Sequence, residues 1–79
     1  MLTMLEHVKT IRMYSAPFEC PYCERAKTLF ERFNVPYTEI VGNLPEPWSS
    51  YPQIFFDDEH IGGCQELFYL LRKSKFEEE

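Results

Sequence analysis

Cys20-Pro21-Tyr22-Cys23-Glu24-Arg25-Ala26-Lys27-Thr28-Leu29-Phe30-Glu31-Arg32-Phe33 joins a cysteine pair to an amphipathic run, and its reading decides the fold. Ala26, Leu29, Phe30 and Phe33 recur at i, i+3, i+4 and i+7, which is one apolar stripe of a helix. Pro21 suits the first helical turn, where its missing N–H costs nothing. The helix therefore starts at the cysteine pair and runs to about Phe33. Asn34 is a suitable stop, and Pro36 cannot continue it. Cys20 then falls in the N-cap region, with Cys23 one turn further in. Side chains at i and i+3 sit on neighbouring turns, close enough to be bridged. The free N–H groups and dipole of a helix start favour an anion, and the thiolate is the nucleophilic form of cysteine. Such placement lowers a cysteine pKa from about 8.5 into the range of roughly 3.5–7.5. The pattern thus makes Cys20 the attacking thiolate. Cys23, more shielded, is the resolving thiol that attacks a mixed disulfide on Cys20.

Outward from this helix, residues 8–14 are rich in β-formers and place Ile11 and Met13 on one face, a first strand. Residues 15–19 are a loop. Residues 37–41 read as strand two, and the helix between the two strands implies a parallel pair. Residues 42–51, with Pro45, Pro47 and a serine pair, form a connector with room for at most one helical turn. Residues 53–57 read as strand three, Asp57-Asp58-Glu59 as a tight turn, and His60-Ile61 as a very short strand four, closing an antiparallel hairpin. Gly62-Gly63 breaks the chain before a last helix, from about Cys64 to Lys73, with Leu67, Leu70 and Leu71 as its stripe. Residues 75–79 read as a frayed, solvated tail.

At 79 residues the chain makes one domain, 1–79. Its core must be efficient, and 16% aromatic content, including seven Phe and five Tyr, supplies the means without a disulfide framework. Three cysteines, an odd number, also argue against a secreted disulfide scaffold. A net charge of −5 with no basic stripe excludes a nucleic-acid surface. Residues 1–7 lack a basic leader followed by an apolar segment, and no apolar run reaches membrane-spanning length. The expectation is a cytoplasmic monomer, with no membrane and no nucleic-acid partner.

A Cys-x-x-Cys pair is also half of a zinc site, and His60 and Cys64 could supply the other ligands. Pro21 and the helical stripe favour a helix N-terminus over a zinc knuckle, so no metal is expected. Taken alone, His60 reads as an exposed strand residue and Cys64 as a packed small residue at a helix start.

Three segments in order resemble the glutaredoxin family, dithiol type, within the thioredoxin-like fold. Cys20-Pro21-Tyr22-Cys23, continued by Glu24-Arg25-Ala26-Lys27, resembles the active site. Ser50-Tyr51-Pro52-Gln53-Ile54-Phe55 resembles the Thr-Val-Pro-Gln segment, and Ile61-Gly62-Gly63-Cys64 the Gly-Gly motif. The resemblance spans residues 8–73. It implies an α/β fold with a four-stranded mixed sheet, and glutathione as co-substrate with no bound cofactor. It implies that Pro52 follows a cis peptide bond and turns Tyr51 toward Cys20, where a glutathione peptide pairs as an added strand. Gly63 allows close approach, and the amides of Cys64 and Gln65 meet a carboxylate at the helix start. Glu66 or Gln65 could meet the amino group, and Tyr22 shapes the groove.

The chain departs from the family in three ways. Pro17 stands where a Lys or Arg normally pairs with the glycyl carboxylate, and Glu19 beside Cys20 opposes its ionisation. Arg12, Arg25 or Lys27 could compensate. The helix between strands two and three is shortened or absent, so Trp48, with Tyr14 and Phe55, is expected to cover part of the bared sheet face. Tyr51 replaces the usual Val. The implied function is a glutathione-dependent thiol–disulfide oxidoreductase acting on protein disulfides and glutathionylated proteins, ribonucleotide reductase being a common partner of relatives. The alternatives are an electron donor reduced by thioredoxin reductase, or a module holding an iron–sulfur cluster or zinc through Cys20 with glutathione or Cys64.

Overall fold

The computed structural model describes residues 8–78, and for residues 74–78 the backbone course alone. The readings of residues 1–7, and of the side chains in the 75–79 tail, fall outside it. In chain order the elements are β1 (Ile11–Ser15), α1 (Pro21–Arg32), β2 (Thr38–Val41), β3 (Gln53–Phe56), β4 (Glu59–Gly62) and α2 (Cys64–Glu78). The sheet runs β2-β1-β3-β4. β1 pairs with β2 in parallel and with β3 antiparallel, and β3 with β4 antiparallel. This is the four-stranded mixed sheet expected from the sequence.

Alternation along β1 decides which face is which. Ile11 and Met13 are buried, and their cross-strand partners Phe56 and Ile54 share that face. α1 lays Ala26 and Phe30 on it, and α2 lays Leu67 and Leu71, so that one core joins both helices to the sheet. α1 stops where Asn34 takes a left-handed φ of 56°. The Val35 amide then donates to Phe30 O at 2.8 Å and the Asn34 amide to Glu31 O at 3.2 Å, a Schellman ending with Val35 packed back on the core.

The opposite face carries Arg12, Tyr14 and Phe55. Among the described residues no helix lies between β2 and β3; Pro45–Trp48 is a single turn closed by the Trp48 amide on Pro45 O. Trp48 takes the place of a covering helix. Its ring meets Phe55 edge-on at 5.3 Å and stacks on His60 at 4.4 Å, while Tyr14 meets Phe55 at 5.7 Å. The Arg12 guanidinium stands 5.3 Å over Phe55. Phe55 is only 8% exposed as a result. Tyr51–Pro52 is cis, as the resemblance implied, and Glu46–Pro47 is cis as well.

Asp57, at the β3–β4 turn with φ 56°, ties down the start of β1. Its Oδ1 accepts from the amides of Lys9 and Thr10 and from the Thr10 hydroxyl. These donors, the Thr10 amide foremost, hold its carboxyl below the usual range.

Four expectations need correction. β1 spans Ile11–Ser15 rather than residues 8–14, because the Lys9 and Thr10 amides go to the Asp57 carboxylate instead of a strand ladder. β4 is a four-residue strand rather than two, because β3 offers ladder partners from Glu59 to Gly62. α2 runs to Glu78 rather than Lys73, since no Gly or Pro follows Lys73 to stop it. His60 is half-buried rather than exposed, because Trp48 stacks on it.

Phe55→Ala is expected to lower the unfolding free energy by about 3 kcal/mol, the usual cost of removing a buried phenyl ring. Urea melts would measure it. The same change should red-shift the emission of Trp48, the sole tryptophan. An unchanged spectrum would show that Trp48 does not lie on this face.

Candidate active site

The site grows from the start of α1. Cys20 is the N-cap residue, with extended backbone (φ −146°, ψ 100°) and Pro21 following at the first helical position. Its carbonyl accepts the Glu24 amide at 3.1 Å, and its Sγ accepts the Cys23 amide at 3.2 Å. A sulfur therefore does what a serine or aspartate oxygen does at an ordinary cap. The Cα atoms of Cys20 and Cys23 are 5.3 Å apart, and the two sulfurs are paired. The pair is unequal: Cys23 is 2% exposed, whereas Cys20 is half-buried at the rim.

Beside the pair lies a groove of about 470 Å³. Tyr22, Tyr51, Pro52, Gly63, Cys64 and Gln65, which the sequence placed around glutathione, all line it. Cys20 and Cys23 do not; they open into a neighbouring recess of about 230 Å³ with Phe18, Glu19 and Lys27. Phe18 bridges the two, meeting Tyr51 edge-on at 6.0 Å.

The far wall is the start of α2. Gly63 caps it, its carbonyl accepting the Leu67 amide, and Glu66 Oε1 reaches back to the Gly63 amide at 2.8 Å. This is the return half of a capping box. The amides of Cys64 and Gln65 are the first two helical positions, where no intrahelical acceptor exists. Glycine is required at Gly62 by its left-handed φ, and at Gly63 a side chain would be a tight fit. A Cβ on Gly62, at φ 133°, would come within 2.7 Å of Glu66, and one on Gly63 within 3.3 Å of the Pro52 carbonyl. The Gly63 amide, foremost, draws the Glu66 carboxyl below its ordinary value.

Sequence reasoning missed the floor of the groove. Gln53 is buried with its amide fully used: Nε2 donates to Ser50 O at 3.1 Å and to Ser50 Oγ at 3.3 Å. Its Oε1 lies 2.6 Å from His60 Nε2. Since Gln53 Nε2 donates elsewhere, Oε1 is the acceptor and His60 Nε2 carries the proton. Serine, glutamine, histidine and Trp48 thus hold the Tyr51–Pro52 segment from behind. No local pattern announces this, because it depends on the path of the connector.

The three candidate cations separate. Arg12 donates to the Asp57 carbonyl on the aromatic face. Lys27 is paired with Glu39 at 3.0 Å and Glu24 at 3.3 Å. Arg25 alone reaches the groove wall, standing 5.5 Å over the Tyr22 ring. Cys64 is half-buried at the first position of α2, and burial pushes its thiol above the usual value against the pull of Arg25. Among the described residues no three of His, Cys, Asp and Glu converge on a metal position. No helix among them is long and apolar enough to cross a membrane.

A mixed sheet carrying a Cys-x-x-Cys pair at a helix N-terminus, beside a cis-proline, defines a thiol–disulfide oxidoreductase of thioredoxin-like fold. Residues 11–61 match the family model described as Glutaredoxin. Glutaredoxin 1 of Rickettsia prowazekii is 39% identical over 80 residues, covering 86% of this chain and 83% of that protein. Among solved structures, glutaredoxin 1 from Francisella tularensis, complexed with cacodylate, is 32% identical with TM-score 0.66, covering 89% and 98% of the two chains. Glutaredoxin from Brucella melitensis is 32% identical with TM-score 0.70, covering 90% and 87%. The chain belongs to the glutaredoxin family.

Because Glu66 bonds better ionised than neutral, its contribution to stability is present above the unfolded carboxyl pKa of about 4.3 and lost as pH falls through the lowered folded value. Wild type should therefore be more stable than Glu66→Gln near neutral pH. The two urea midpoints should converge in acid. A gap that stays constant with pH would remove the charged cap.

Proposed function

We propose that the protein reduces protein disulfides and glutathione mixed disulfides through Cys20 and Cys23, with glutathione as co-substrate. One observation carries the reading: Cys20 caps α1 with the Cys23 amide on its sulfur, next to a groove lined by Tyr51, Pro52, Gly63, Cys64 and Gln65.

In the dithiol route, Cys20 thiolate attacks one sulfur of the substrate disulfide. A Cys20–substrate disulfide forms and the other substrate sulfur leaves as thiolate. Cys23, deprotonated, then attacks Cys20 Sγ, closing the Cys20–Cys23 bond and releasing the second substrate thiol. Two glutathione molecules return the pair to dithiol and leave as glutathione disulfide. In the monothiol route, Cys20 takes the glutathionyl group from a substrate, and a second glutathione removes it. Potentials of glutaredoxins, about −200 to −230 mV, lie close enough to glutathione pools for both directions. Such exchange suits a reducing compartment such as the cytoplasm.

The groove is built for a short extended peptide. The Tyr51 backbone offers strand pairing. The Cys64 and Gln65 amides suit a carboxylate, and the Glu66 carboxylate suits an amino group. The glycyl end meets Pro17, Phe18 and Tyr51 rather than a lysine, which favours weaker glutathione binding. That same feature supports a second reading, reduction by thioredoxin reductase, which turnover with each reducing system separates.

The expected outcome of a glutathione-reductase-coupled assay is that Cys20→Ser abolishes turnover of every substrate. Cys23→Ser should retain release of glutathione from small mixed disulfides while losing reduction of protein disulfides. Turnover that survives Cys20→Ser would overturn the assignment.

A further inference from the structure

A second groove of about 430 Å³ runs between α1 and α2, with Leu29 and Phe68 as its apolar lining and Arg25 and Arg32 at its rim. The two arginines lie at i and i+7 on α1, hence on one face. On α2, Arg72 adds a third guanidinium, 5.9 Å over the Phe68 ring. The ion pairs formed among the described residues are Arg12–Asp58, Lys27–Glu24 and Lys27–Glu39, so there these three arginines make no ion pair, Arg25 and Arg72 resting instead on the Tyr22 and Phe68 rings. Glu24, the acidic group at this groove, is held by Lys27. The three guanidinium groups sit on a chain whose net charge is −5.

Two further features mark it as a surface for another chain. Phe68 is 44% exposed, a large ring left partly in water beside guanidinium groups. Cys64 and Gln65 line both this groove and the one beside the redox pair, so the two grooves meet at the start of α2.

We propose that the α1–α2 groove docks the segment next to the reactive cysteine of a protein substrate, and that this segment is acidic and carries a large apolar side chain. The proposal rests on the reading of Cys20 as the attacking thiol. Carboxylates of the segment meet Arg25, Arg32 and Arg72, whose planar forks suit bidentate pairing. Its apolar side chain enters between Leu29 and Phe68 and supplies the anchor. The charges steer encounter and select against basic segments.

The test compares two peptides of equal length, each with one glutathionylated cysteine. One is flanked by Glu and Asp with a single Phe; the other has Lys in place of each acid. Glutathionylated 2-mercaptoethanol serves as the small substrate. The acidic peptide should be preferred in kcat/KM by about tenfold at low salt, and the preference should shrink as salt screens it. Arg32→Gln and Phe68→Ala, each at an exposed helix position away from the redox pair, should raise KM for the acidic peptide several-fold and leave the small substrate unchanged. Equal rates for the two peptides, with the small substrate still turned over, would overturn the docking groove. Failure of all three substrates would overturn the redox reading instead.

Discussion

The Cys23 amide donating to Cys20 Sγ is the contact on which the rest of the structure depends. It makes one sulfur serve as a helix cap, so the residue that starts α1 is also the one exposed at the rim. Everything downstream of that cap is aimed by it. Ala26 and Phe30 fall on Met13 and Ile54, which fixes α1 against the sheet. Cys23 is thereby drawn into the interior while Cys20 stays half-exposed. The unequal exposure of the pair is a consequence of the helix geometry, and the chemical asymmetry proposed for it rests on that.

Holding a ligand groove against that cap is the harder task, because the chain has no helix between β2 and β3 to brace the Tyr51–Pro52 segment. An aromatic stack performs the bracing. Trp48 lies on His60 and against Phe55, and Gln53 links His60 to Ser50 through its side-chain amide. Fixed side chains thus replace a secondary-structure element, and they do so on the connector that leads into the groove. Gly62 and Gly63 complete the frame by leaving room for Glu66 and the Pro52 carbonyl.

Much of this was legible in the sequence, for physical reasons that can be named. The i, i+3, i+4 stripe from Ala26 and the stop at Asn34 are local signals, and they were right because capping and periodicity act within one turn. The alternation of Ile11 and Met13 against Arg12 and Tyr14 identified the two sheet faces, and Trp48, with Tyr14 and Phe55, was expected on the second, where the three rings meet. The placement of His60 was not legible, since its burial comes from Trp48, twelve residues away along a turn no pattern specifies. The extent of α2 exceeds the expectation because a run of charged residues without Gly or Pro gives the helix no stop signal before Glu78. The division between the recess at Cys20 and the groove at Tyr51 depends on Phe18 touching Tyr51, a contact between two loops. The segregation of the arginines on the α1–α2 face depends on how the two helices pack.

The central claim is that helix placement, rather than cysteine content, makes Cys20 the reactive thiol. It is tested most directly by brief alkylation of the fully reduced protein with iodoacetamide near neutral pH, with the modified residue mapped by mass spectrometry. The expected result is modification of Cys20 well before Cys23 or Cys64. Modification of Cys64 or Cys23 first, or of all three at the same rate, would contradict it.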